Sequence, residues 1–223
     1  MFEAVLFDMD GVLIDSVEIG LQVRKGILLH QYGVELEAVP DPEGEEHRAV
    51  SMDNLLARVD AFYGTAIDPR AFARASQQHL REYLAGHDLS ADPALVAFLE
   101  ELRQHDIQRV VVSSGQRAGV DMKLGALGIG DYFSDITSGN DVRNHKPHPE
   151  PYQHTLQKLG LAPEVCVAFE DSLTGIQSAR AAGCEVIGFT QYNPPKEPLS
   201  GVLATIPHWS EITYAKLQAL YGR

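Results

Sequence analysis

Cysteine is nearly absent: the chain of 223 residues has two, Cys166 and Cys184, in the apolar contexts "EVCVAFED" and "AAGCEVIGF" and without metal-ligand spacing. They are read as buried, reduced thiols rather than a disulfide. Positive charge is scarce too, since 18 Lys and Arg face 31 Asp and Glu, a formal net charge of −13. A surface of that sign repels phosphate backbones and anionic lipid at long range, which argues against nucleic acid or a membrane as partner. A small anion could still be held locally. No apolar run approaches membrane-spanning length, and the start "MFEAVLFDMD" places no basic segment ahead of a long apolar stretch. A cytoplasmic location is therefore expected. The nine histidines show no metal-ligand spacing, and there is no internal repeat or low-complexity segment. What is present is ordinary globular material, 44% hydrophobic and 22% charged, in a chain long enough to bury a sizeable core.

Along the chain, "AVLF" reads as a short buried strand, and then the pattern turns helical. "SVEIGLQVRKGILLHQYG", "VSMDNLLARVDAFYG" and "PRAFARASQQHLREYLAGH" space their apolar residues at helical intervals, separated by the acidic, proline-bearing loop "VELEAVPDPEGEEHR". No strand is needed from Ser16 to His87. From Ser90 onward β-branched runs ("IQRVVVSSG", "YFSDITSG", "EVCVAFEDS", "CEVIGF") alternate with helical patterns, the signature of parallel βαβ units. The expected fold class is α/β: a Rossmann-like open parallel sheet core, residues 1–15 and 88–223, with an inserted all-helical domain, residues 16–87. Trp209 is expected to anchor the C-terminal segment, and Tyr63 and Phe72 to lie in the core of the helical domain.

In such a sheet all strands finish on one edge, where ligands bind. The loops there carry Asp8 and Asp10, then Ser113 and Ser114, then Lys146, then Glu170 and Asp171. Two unit charges ~4 Å apart repel by about 4 kcal/mol at an effective dielectric near 20, so four carboxylates require cations among them. Hard oxygen ligands beside a phosphate favour Mg²⁺. Lys146 adds an ammonium suited to a phosphoryl group, and Ser113, Ser114 and the N–H of Gly11 can take the remaining phosphate oxygens.

"FDMDGVLIDS", "VVVSSG", "KPHPEPY" and "VAFEDSLTGIQSARAAG" resemble, in order, the four motifs of the haloacid dehalogenase (HAD) superfamily. The helical insertion resembles that superfamily's first type of cap domain. The resemblance implies a Mg²⁺-dependent phosphatase in which Asp8 is the nucleophile that forms an aspartyl-phosphate, and Asp10 protonates the leaving oxygen and later takes a proton from water. It further implies that Asp8 and Asp171 bind Mg²⁺ through side chains and Asp10 through its carbonyl, while Glu170 accepts from a metal-bound water. Ser113 and Lys146 would hold the phosphoryl group. Dehalogenating members lack the second aspartate, so Asp10 favours phosphoryl transfer.

The implied substrate is a small phosphomonoester, a sugar phosphate or sugar-acid phosphate ahead of phosphoglycolate. Arg48, before a cap helix, and Arg117, after "SSGQ", are candidates for contacting it. One rival is a sugar phosphate mutase resembling β-phosphoglucomutases, which carry a histidine where this chain has Gly20. Another is a non-catalytic binding protein on the same fold, against which the intact set of Asp8, Asp10, Lys146 and Asp171 argues. A monomer is the default expectation, with a dimer left open.

Overall fold

Ala4–Phe7, four apolar residues with every side chain buried, form β1. The structure, a computed structural model, describes residues 1–41, 51–87, 89–195 and 197–222. It divides into two compact units, one comprising Met1–Asp15 and Leu89–Arg223, the other Ser16–Asp88.

The second unit contains α1 (Ser16–Tyr32), α2 (Met52–Tyr63) and α3 (Pro69–Gly86). Ser51 caps α2 by accepting from the N–H of Asn54, Gly64 closes it in the left-handed region at φ 68°, and Asp68 followed by Pro69 opens α3. Phe72 is fully buried beside the Tyr32 ring. Tyr63 is not core: it is 37% exposed, because its hydroxyl donates to the carbonyl of Glu35 and so stays at the surface. A cavity of about 450 Å³ in this unit is bordered by Gly20, Val23, Arg24, Ser51, Ser76 and Gln77.

The α/β unit continues with α4 (Pro93–Gln104), β2 (Gln108–Val112), α5 (Arg117–Ala126), β3 (Asp135–Thr137), α6 (Glu150–Leu159), β4 (Cys166–Glu170), α7 (Leu173–Ala181), β5 (Glu185–Phe189), β6 (Ala204–Ile206) and α8 (Tyr214–Tyr221). All six strands are parallel, in the order β3-β2-β1-β4-β5-β6. The alternation of side chains along each strand divides the core in two. Leu6, Val110, Ala168 and Val186 pack with Tyr152, Ile176 and Ala179 of α6 and α7 on one face. Phe7 and Phe169 meet Phe98 of α4 and Trp209 on the other, where Trp209 is fully buried as a packing anchor. β6, only three residues long, was not distinguished in the sequence.

The topology sets the site. From β1 the chain adds β2 and β3 on one side and β4, β5 and β6 on the other, so the order reverses between β1 and β4. A crevice opens at such a switch point, outside the strands' carboxyl ends. Phe7 pairs in register with both Val111 and Phe169, which brings the next residue of each strand to the same edge.

Candidate active site

Asp8 is the first residue past β1, its N–H still bonded to the carbonyl of Phe169 at 3.0 Å, so the sheet itself fixes its backbone. Only 8% of the residue is exposed. Lys146 reaches it from the loop before α6: the ammonium donates to Asp8 Oδ1 at 2.6 Å, Glu170 Oε1 at 2.6 Å and the Val112 carbonyl at 2.8 Å. An ammonium has three donors, and all three are used. Its Nζ also lies 5.2 Å from the centre of the Tyr152 ring, whose hydroxyl donates to the same Glu170 oxygen. Asp171, next along the chain, accepts from Asn193 Nδ2 at 3.0 Å.

Burial pushes the Asp8 carboxyl up to about 7, with the Glu170 and Asp10 charges adding and Lys146 opposing. Asp171 is pushed up to about 6, first by burial and then by the charge of Asp8. Burial alone would pull the Lys146 ammonium down, but the Asp8 and Glu170 carboxylates outweigh it and hold the group above its ordinary value. Lys146 is therefore charged, and once Asp8, Glu170 and Asp171 are all ionised one ammonium does not offset them.

Asp8, Glu170 and Asp171 offer oxygens that all lie within 4.8 Å of one another. Glu170 Oε2 is buried and finds no hydrogen-bond partner among the described residues. A compact, buried, all-oxygen donor set with surplus negative charge fits a hard divalent cation. Asp10, half-buried, is not in that side-chain set: its carboxylate pairs with Lys123 of α5, and its backbone bridges to Ile14.

Ser113 is buried at the end of β2, its N–H on the Thr137 carbonyl at 2.9 Å and its Oγ accepting from Gly115 at 3.0 Å. Ser114 beside it is exposed. Arg117 is exposed and engaged by Asp121 at 2.9 Å on its own helix, and Arg48 lies outside the described residues. Lys123, Asn193 and Tyr152 were not singled out from the sequence.

Gly11 adopts φ 83°, and a β-carbon there would stand 2.0 Å from Asp171 Oδ2. The glycine is what lets the two loops touch. Gly11→Ala is expected to push Asp171 aside and lower kcat/KM by about 10- to 100-fold, with a weaker hold on any divalent cation bound by Asp8, Glu170 and Asp171. Titrating activity against Mg²⁺ checks this, and an unchanged half-saturation point would count against it.

Fold and site together define an α/β protein that gathers carboxylates and an ammonium at the switch point of a doubly wound sheet. Residues 5–189 match the family described as haloacid dehalogenase-like hydrolase, and the chain belongs to that family of enzymes. Fructose-1-phosphate phosphatase YqaB of Escherichia coli (strain K12) is 28% identical over 191 residues, spanning 83% of this chain and 95% of its own. The crystal structure of a HAD family hydrolase from Deinococcus radiodurans R1, with bound phosphate and sodium, covers 99% of this chain and 97% of that one at 25% identity and TM-score 0.75. The β-phosphoglucomutase of Clostridium difficile covers 100% and 98% at 21% identity and TM-score 0.72, a likeness of fold alone.

Proposed function

We propose that the protein is a Mg²⁺-dependent phosphatase that hydrolyses a small phosphomonoester, a sugar phosphate or sugar-acid phosphate, through an aspartyl-phosphate on Asp8. The observation that carries this reading is the buried Asp8 carboxylate, clamped through one oxygen by a fully engaged ammonium at the sheet's switch point. The similarity to a fructose-1-phosphate phosphatase and the phosphate bound by a relative of the same family point the same way.

In the first step an Asp8 oxygen bonds to phosphorus as the P–O bond to the alcohol breaks, and Asp10 gives the leaving oxygen its proton. Water then attacks phosphorus and passes a proton to Asp10, the Asp8–phosphorus bond breaks, and inorganic phosphate is freed. Ser113 and the N–H of Ser114 would hold the phosphoryl oxygens, while Lys146, its three donors engaged, would attract them as a fixed positive charge; the Gly11 N–H is taken by the Ile14 carbonyl at 2.9 Å. Asp8, Asp171 and the Asp10 carbonyl would hold Mg²⁺, with Glu170 behind them; the cation neutralises charge between nucleophile and phosphate. Residues 16–87 would select the alcohol as a cap domain.

A panel of phosphomonoesters and hexose phosphates with Mg²⁺, read for both phosphate release and sugar isomerisation, tests the proposal. Phosphate release is expected, falling by about 10⁴-fold or more in Asp8→Asn because the amide cannot serve as nucleophile. Isomerisation with little free phosphate would make the protein a mutase and overturn it.

A further inference from the structure

We infer that Lys123 is a positioning residue for Asp10, holding one carboxylate oxygen so that the other presents its proton to the leaving group; this rests on the hydrolase reading above. Lys123 follows Val120 by three positions and precedes Leu124 by one, and both of those side chains are 2% exposed. It therefore lies on the buried stripe of α5, where a lysine is rare unless paired. Its side chain is 16% exposed, and Nζ meets Asp10 Oδ1 across a sequence separation of 113.

A lysine in the last turn of a helix can simply complement the helix dipole, but that role is served equally well with the amine in solvent. Here the amine is instead directed at one acid. The backbone of Asp10 is already pinned, since Gly11 N–H bonds to the Ile14 carbonyl at 2.9 Å and Asp10 bridges to Ile14. What remains free is the side chain, under repulsion from the buried Asp8 nearby. Lys146 cannot restrain it, because its three donors are taken by Asp8, Glu170 and Val112. The site thus divides its cations: Lys146 serves the nucleophile and Glu170, and Lys123 serves the acid. With Oδ1 on Lys123, Oδ2 is left for the proton that passes to the alcohol oxygen as the P–O bond breaks and the Asp8–phosphorus bond forms.

The test compares leaving groups. A sugar alkoxide needs a proton to depart, whereas p-nitrophenolate leaves without one, and kcat/KM reports the steps through cleavage of the ester bond. Lys123→Met keeps the apolar stem and removes the charge. It is expected to lower kcat/KM by about 30- to 300-fold on the sugar phosphate that the wild type cleaves best, and by less than about threefold on p-nitrophenyl phosphate. Lys123→Arg should recover at least about tenfold of the loss. The ratio of the two activities does not depend on the folded fraction, and Lys123→Gln serves if the methionine variant does not fold. Equal losses on both substrates, or none, would overturn the inference while leaving the hydrolase reading intact. A wild type that cleaves neither would overturn that reading itself.

Discussion

Lys146→Met is expected to lower kcat by about 1,000-fold and to cost about 3–5 kcal/mol of stability in chelator at neutral pH. The side chain is 6% exposed, that of Glu170 1%, and that of Asp8 12%. Removing the ammonium leaves two buried carboxylates facing one another with no counter-charge between them, and also strips the Val112 carbonyl of its donor. Such a pair escapes the repulsion by taking up a proton. The stability loss should therefore be larger at about pH 8 than at about pH 5, which urea unfolding at the two values would measure. A loss independent of pH would mean that Lys146 matters for packing against Tyr152 and not for charge. The catalytic loss has a second origin in the proposed reaction, where an Asp8 that has taken up a proton would be a poor nucleophile. Added Mg²⁺ should then restore part of the stability, with little activity.

Both the main-chain frame and most of the site were legible from the sequence because they rest on local signals. A buried β-branched run that ends in small polar or acidic residues marks a strand and the loop after it, and four such endings must converge once the strands are parallel. Phe7, Val111 and Phe169 in register are the consequence. Lys123 and Asn193 were illegible because nothing local distinguishes them. Lys123 stands in "MKLGA", which reads as an ordinary amphipathic turn, and its partner is 113 residues away. The available signal was its place on the stripe of Val120 and Leu124. Asn193 comes from the loop after β5 and reaches Asp171 only once the strand order is known. β6 gave three residues, too few for a period. Tyr63 failed as a core residue because helical spacing places a ring on the inner face without fixing how deep its hydroxyl goes.

In chelator, the contribution of Asp8 and Asp171 to stability is expected to fall as pH rises from about 4 to about 7, opposite in sign to that of a carboxylate held below its ordinary value. An acid whose folded pKa is raised binds more protons folded than unfolded, so the stability it contributes is full at low pH and is lost as pH climbs through the folded value. Asp171 rises from an ordinary 3.8 to about 6, and Asp8 shifts in the same direction. For Asp171 alone the swing is at most about 3 kcal/mol, the worth of a shift of about two pH units. Both groups are buried, 8% exposed each, so solvent screens little of it. Mg²⁺ held as proposed would bind the deprotonated oxygens and reverse the penalty. In excess, at a hundredfold its dissociation constant, it adds about 2.7 kcal/mol, or roughly 5–10 °C in a domain of this size. Thermal melts in chelator and in excess Mg²⁺ at about pH 5 and about pH 8 check the sign. The metal-dependent gain should be small at the lower pH, where protons already neutralise the site, and large at the higher. A gain equal at both would mean that the acids near Lys146 are not what holds the ion.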